Sequence, residues 1–175
     1  MTRVQRTGTV QADVPATPGQ VWQVLTDVPR IGEWSHECLT AKWLDGADQA
    51  AVGARFRGSS KARFARWSRP CTITVLDTYR CFTYRTNGGI QRDATEWTFT
   101  LEPTDDGCRI TQSYEIISLP RATEWVISKV LPEHIDRSQA LREDLERLGT
   151  VAAGVPAAKP PAGDSPDERP SHTPN

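Results

Sequence analysis

The chain carries few of the motifs that name a function outright. Its four cysteines, Cys38, Cys71, Cys81 and Cys108, form no C-x-x-C pair, so a zinc ribbon or a redox dithiol is not expected. There is no G-x-G-x-x-G, no P-loop, no G-x-S-x-G and no H-E-x-x-H, and no nucleotide, flavin or metal is implied. No cofactor is expected. No apolar run approaches the ~18 residues of a membrane span, and the segment Met1-Thr2-Arg3-Val4-Gln5-Arg6 lacks the apolar core of a secretory signal. The expectation is a soluble cytoplasmic protein with free thiols. A net charge of −1 names no partner and gives no reason to expect DNA binding. From Ala152 onward there is no aromatic residue, while six of the chain's thirteen prolines fall there. Such a segment cannot bury enough apolar surface to offset its ordering entropy. The chain therefore divides into a domain over 1–150 and a disordered Pro/Ala-rich tail over 151–175, which takes His172 with it.

What is present is alternation. Between Trp67 and Ile117 the large apolar residues fall at every second position. Ile73 and Val75 alternate with threonines, as do Phe82 and Tyr84 with Thr83 and Arg85. Trp97, Phe99 and Leu101 alternate with Thr98 and Thr100, and Ile110, Gln112, Tyr114 and Ile116 with Thr111, Ser113 and Glu115. Period-two alternation gives each strand one buried and one wet face. Four such strands in a row make an antiparallel sheet whose dry face needs a cover. The loop Thr104-Asp105-Asp106-Gly107 sets the last hairpin. With Glu102 opposite Arg109, it brings Leu101 to Ile110, Phe99 to Gln112 and Trp97 to Tyr114. A turn at Thr78-Tyr79 likewise places Val75 opposite Phe82, Ile73 opposite Tyr84 and Cys71 opposite Thr86. That turn lacks the Gly or Asn of a tight primed turn, which leaves room for a bulge.

Upstream, Val10, Ala12 and Val14 form a first strand ended by Pro15. Thr17-Pro18-Gly19-Gln20 matches a capping box with Pro at the first helical position, followed by Val21, Trp22, Val24 and Leu25 at helical spacing. A second short helix reaches Trp34. Strands follow over Leu39–Leu44 and Arg55–Ser60. Beyond Pro120 a helical region runs through Trp125, Ile127 and Leu131, must kink or restart at Pro132, and continues on a stripe of His134, Ser138, Leu141, Leu145 and Leu148. Gly149 is its expected C-cap.

The order is strand, two short helices, six strands, C-terminal helix. Pro18-Gly19-Gln20-Val21-Trp22-Gln23-Val24-Leu25-Thr26-Asp27 with Trp34, then Trp97-Thr98-Phe99-Thr100-Leu101-Glu102-Pro103 and Gly107-Cys108-Arg109-Ile110-Thr111, carry a resemblance over about 5–149. The chain resembles the START-like (SRPBCC) superfamily of polyketide cyclases/dehydrases and lipid transport proteins. The resemblance implies an α+β helix-grip, Bet v 1-like fold: a curved seven-stranded antiparallel sheet wrapped around a long C-terminal helix, with two short helices after the first strand. It also implies a cavity between sheet and helix for a hydrophobic ligand. Cys108 departs from the family pattern, where Thr is common, and is placed on the wet face.

The candidate ligand-binding residues are Trp34, Phe56, Phe64, Trp67, Ile73, Val75, Phe82, Tyr84, Trp97, Phe99, Gln112, Tyr114, Ile127, Leu131, His134 and Ser138. Trp34 and Trp67 are assigned to loops. A buried amide or imidazole without a partner costs ~1–3 kcal/mol, so inward polar groups meet each other, water or a ligand. His134, the inward histidine, is the natural acid/base group near neutral pH, with Tyr84, Tyr114 and Gln112 as further catalytic candidates. His36 and Glu37 lie in a loop beside Cys38, but nothing else converges there as a metal site requires. Between Asp48 and Asp77 there is no acid, yet Arg55, Arg57, Lys61, Arg63, Arg66 and Arg69 occur. Three functions stay open: a carrier of a lipid- or polyketide-like ligand; a polyketide cyclase or dehydratase; and a non-enzymatic interaction protein using the basic 55–69 surface. An acidic carrier protein is a candidate partner for that surface.

Overall fold

A computed structural model describes residues 4–62, 65–88, 92–130 and 136–157. Strand β1 (Thr7–Val14) is followed by helix α1 (Pro18–Thr26) and a 3-10 helix (Val28–Glu33). Six strands come next: β2 (Cys38–Trp43), β3 (Arg55–Ala62), β4 (Ala65–Asp77), β5 (Cys81–Asn87), β6 (Ala94–Thr104) and β7 (Gly107–Ser118). Helices α2 (Arg121–Val130) and α3 (Ser138–Ala153) follow. The strands form one antiparallel sheet in the order β1-β7-β6-β5-β4-β3-β2, so the first strand closes against the last. This is the curved sheet and C-terminal helix of the helix-grip α+β fold.

Local chemistry explains the boundaries. Thr17 caps α1 through a reciprocal box: its Oγ1 accepts from the Gln20 N–H at 3.3 Å and its own N–H donates to Gln20 Oε1 at 2.9 Å. The amide of Gln20 also donates to the Val155 carbonyl at 2.6 Å, tying the start of α1 to the end of α3. The β6–β7 register pairs Leu101 with Ile110, Phe99 with Gln112, Trp97 with Tyr114 and Glu102 with Arg109, as the alternation predicts. In β4–β5, Cys71 faces Thr86 and Ile73 faces Tyr84. Between Ile73 and Val75 the register then shifts, so Val75 meets Thr83 and Leu76 meets Phe82. This bulge corrects the expected Val75–Phe82 pair. One extra residue reverses the alternation beyond it, leaving Val75 43% exposed.

The core lies between the concave side of the sheet, α1 and α3. Phe56, Phe82, Phe99, Ile73, Ile110, Leu145 and Leu148 are all but fully buried there, each such side chain contributing roughly 1.5–3 kcal/mol. Cys108 is buried with them at 0% exposure, not on the wet face. It shares the parity of Ile110 and Gln112, so the pleat turns it inward. The outer face is not uniformly wet either. Thr83 is buried, and its hydroxyl bonds that of Thr98 at 3.1 Å.

Beyond Pro120 the described residues form α2 and α3. One further expectation needs correction: helix α3 runs past Gly149 to Ala153, with Gly154 at its C-cap. Gly149 instead permits a close crossing, since a Cβ there would lie 2.3 Å from Val14 Cγ1. Ala152 is fully buried.

Candidate functional site

A cavity of about 340 Å³ opens between the sheet on one side and the 3-10 helix, the segment that follows it and α3 on the other. Its sheet wall includes Phe56, Trp67, Tyr84, Trp97 and Gln112, contributed by β3, β4, β5, β6 and β7. Trp34, Ile31 and Leu141 face them. Of the sequence candidates, the structure thus brings together Trp34, Phe56, Trp67, Tyr84, Trp97 and Gln112. Trp67 stands on β4 opposite Ser60 rather than in a loop. Trp34 ends the 3-10 helix as its C-cap.

Other candidates lie elsewhere. Ile73, Phe82 and Phe99 belong to the packed core. Val75 is turned out by the bulge. Tyr114 packs on Trp97 with ring centroids 5.3 Å apart and donates to the Gln5 carbonyl at 3.5 Å, away from the cavity lining. Gly8 opposite makes room for its ring, since a Cβ there would sit 2.5 Å from Tyr114 Cε1. Ser138 is exposed, at the start of α3, where its N–H donates to Asp136 Oδ1 at 2.9 Å. It falls off the stripe because the helix begins there, while Leu141, Leu145 and Leu148 keep the inward face. Phe64, Leu131 and His134 lie outside the described residues, and Ile127 is placed only as part of α2.

The cavity is aromatic but not dry in character. Gln112 Oε1 and Trp34 Nε1 are buried and have no hydrogen-bond partner among the described residues. Both residues are 4% exposed. An unmet buried acceptor or donor costs ~1–3 kcal/mol, so one acceptor and one donor are held ready in the cavity wall. Tyr84 adds a hydroxyl. Its ring lies nearly parallel to that of Phe99 and edge-on to Phe56. Burial, reinforced by the nearby thiols of Cys71 and Cys38 and the carboxylates of Glu37 and Asp144, holds the phenol well above its ordinary value. Tyr84 is therefore a hydrogen-bond donor at any physiological pH.

Sequence reasoning singled out His36, Glu37, Arg66 and Arg69 without placing them at the cavity, and missed Asp93, Arg137 and Asp144. His36, Glu37, Arg66, Arg69, Asp93, Arg137 and Asp144 all border the cavity. Asp144 is 3% exposed, and its Oδ2 lies 2.7 Å from His36 Nδ1. Its Oδ1 accepts from the His36 N–H at 2.9 Å and from Arg147 Nη2. Arg147 Nε also donates to the Trp34 carbonyl at 3.0 Å. Helix α3 thus clamps the 34–36 segment. The bond to Asp144 raises the His36 pKa above its ordinary 6.5, against the opposing effect of burial. At the mouth, Arg69 pairs with Asp93 at 3.2 Å and Arg137 lies over the Trp97 ring at 5.9 Å.

Two thiols at the cavity are held in the protonated form. Cys38 and Cys71 border the cavity beside Gly58, whose missing side chain leaves Cys38 Sγ its space. Burial raises the Cys38 pKa and pushes Cys71 up to about 12, so both remain protonated near neutral pH. Among the described residues, no group of three His, Cys, Asp or Glu is placed to hold a metal ion. No helix among them is long and apolar enough to cross a membrane.

Comparison with known proteins places this geometry. The fold matches protein MLL2253 from Mesorhizobium loti, with a TM-score of 0.61 and 20% identity over 85% of this chain and 97% of that one. It matches TTHA0849 from Thermus thermophilus, with a TM-score of 0.63 and 15% identity over 84% and 97%. It also matches Ara h 8.0201, with a TM-score of 0.56 and 14% identity over 85% and 98%. At these identities the likeness concerns the fold. No curated protein matches the chain. The family model for polyketide cyclase/dehydrase and lipid transport matches residues 3–153, nearly the whole of the folded domain, and the chain belongs to that family.

Proposed function

We propose that the chain binds one small, flat, largely apolar molecule carrying at least one oxygen function in the cavity between its sheet and α3. The carrying observation is the pair of buried polar atoms without partners, Gln112 Oε1 and Trp34 Nε1, in the wall of an aromatic cavity of about 340 Å³. Ligand pockets combine an apolar lining with a few placed polar groups in this way. A lipid- or polyketide-like ligand fits the same description: its apolar body packs on Phe56, Trp67 and Trp97, and its oxygen meets the polar wall. Gln112 accepts from a ligand hydroxyl, while Trp34 and Tyr84 donate to a carbonyl or phenolic oxygen.

The interaction-surface reading draws less support. Arg55 is paired with Asp45 at 2.8 Å and Arg69 with Asp93 at 3.2 Å, so part of the basic stretch is neutralised within the chain. An acidic partner would meet the exposed Arg57, Lys61 and Arg66.

Titration with the fluorescent apolar probe N-phenyl-1-naphthylamine tests the cavity. The chain should saturate at one probe per molecule. Ser60→Trp, which puts an indole into the cavity border, should abolish the saturable signal without loss of fold by circular dichroism. Equal saturation by both proteins would place the probe elsewhere and contradict the proposal.

A further inference from the structure

The outer face of the sheet, opposite the cavity, gathers cations that the fold does not neutralise. Along β3, Phe56 and Gly58 are buried while Arg57, Ser59 and Lys61 are exposed, so these three point away from the core. No Asp or Glu occurs in 38–43 or 49–76, which covers β2, β3 and all of β4 before Asp77. The register sets Lys42 directly opposite Arg57, and Lys61 directly opposite Arg66. All four side chains are exposed, and none is paired with an acid among the described residues. Like charges directly opposite each other on a sheet are destabilising. Two such pairs on one face cost the free chain stability, and a bound anion at each would offset that cost.

Between the two cationic pairs lies a groove of about 440 Å³ bordered by Leu39, Thr40, Ser59, Arg66 and Ser68. Thr40, Ser59 and Ser68 form one row across the three strands, and all three are exposed. Arg57 and Lys61 stand four residues apart on β3, about 13–14 Å along the strand, with Ser59 midway. Leu39 is the extra residue of the irregularity in β2 and is 47% exposed at the same groove. The face thus reads, along β3, as a cationic pair, a hydroxyl row beside one apolar side chain, and a second cationic pair.

We propose that this outer face docks an extended acidic segment of a partner protein. One carboxylate lies on Lys42 and Arg57, a second lies four residues further on at Lys61 and Arg66, and an apolar side chain between them meets Leu39. Residues i and i+4 of an extended chain fall on one side, about 13–14 Å apart, which is the spacing of the two cationic pairs. A peptide suits the face better than a nucleic acid does. The tryptophans of these strands are turned inward: Trp43 stands opposite Phe56, and Trp67 shares the parity of buried Cys71. The outer face therefore lacks the aromatic platform on which single strands stack. A net charge of −1 also gives the chain as a whole no pull on a polyanion. The site does not depend on the cavity, since Lys42, Arg57 and Lys61 lie outside the cavity lining and only Arg66 borders both.

The test follows backbone amides of the isotope-labelled full chain by NMR during titration with the capped pentapeptide Glu-Ser-Leu-Ser-Glu. The control is Glu-Glu-Ser-Leu-Ser, equal in charge and composition but with its acids adjacent. The expected result is saturable shifts at Thr40, Ser59, Lys61 and Ser68 with the first peptide. Binding should be about tenfold weaker with the control, and about tenfold weaker or more for the double variant Arg57→Glu/Lys61→Glu. Without peptide, the double variant should melt above the natural chain, because each like-charge pair becomes an opposite-charge pair. Titration with N-phenyl-1-naphthylamine should be the same for both proteins, which shows the inner side intact. No shift at those amides with millimolar peptide, or equal binding by the double variant or of the control peptide, would overturn the inference and leave the cavity reading standing. Tighter binding of oligouridylate at the same amides would overturn the choice of a peptide. Tighter binding of a peptide of residues 162–170, which carries Asp164, Asp167 and Glu168, would overturn the choice of a partner in favour of the chain's own tail.

Discussion

The pair His36–Asp144 joins a half-exposed imidazole to a carboxylate that is 3% exposed. Its stability consequence follows from the direction of the shift. The folded pKa of His36 lies above the ordinary 6.5 because Asp144 bonds the charged ring. The stabilisation is therefore fully present below about pH 6.5 and is lost as pH rises through the folded value. The melting temperature of the chain should exceed that of His36→Gln most at about pH 6, and the gap should shrink by about pH 9. Thermal denaturation at both values checks it, and a gap that widens with pH would contradict the assigned bond. Nothing local in the sequence reveals this pair. His36 and Glu37 could be seen beside Cys38, but Asp144 stands 108 positions away on a helix face otherwise read from its leucines. An acid next to Leu145 looks like solvent-facing helix until α3 is laid against the 34–36 segment. Gln112 was legible because its parity with Ile110 and Tyr114 turned it inward.

Among the elements, β6 and β7 were readable from Trp97 to Glu102 because the two strands alternate in step there and a loop fixes their register, which shifts between Ala94 and Thr95. Strand β4 was readable only as far as Ile73. The bulge before Val75 has no Gly or Asn to announce it, and an alternation pattern cannot contain the residue that breaks it. Helix α3 shows the opposite failure. Gly149 looks like a terminator, whereas its role is to let α3 cross β1. An added Cβ would meet Val14 side-chain carbons at 2.3 and 2.4 Å, closer than real contacts allow. In an exposed helix, glycine to alanine gains about 1 kcal/mol. Here overpacking costs about 1–3 kcal/mol, so Gly149→Ala should lower stability in urea denaturation. A net gain would mean that α3 does not press on Val14. Helix α2 is tied to the N-terminal segment by Arg6–Glu124 at 3.3 Å and places Thr123 at the cavity, while Trp125 remains 57% exposed.

For the molecule as a whole, the order of elements was enough to foresee the sheet, because consecutive strands pair and a one-sided apolar sheet must be covered. The cavity does not follow from that order. Aromatic residues that alternate inward divide in the structure between a packed core around Phe82 and Phe99 and an open wall around Phe56, Tyr84 and Trp97. Charged groups border the cavity, and its wall is assembled from six strands and three helices. If this cavity holds a ligand, native mass spectrometry of the full chain, purified without denaturant from its own cells, will detect it. The expected result is a folded species with one small-molecule adduct that leaves on collisional activation and proves to be an apolar compound bearing a carbonyl or hydroxyl oxygen. A folded chain that shows only its bare mass, and takes up none of the apolar material extracted from those cells, would contradict it.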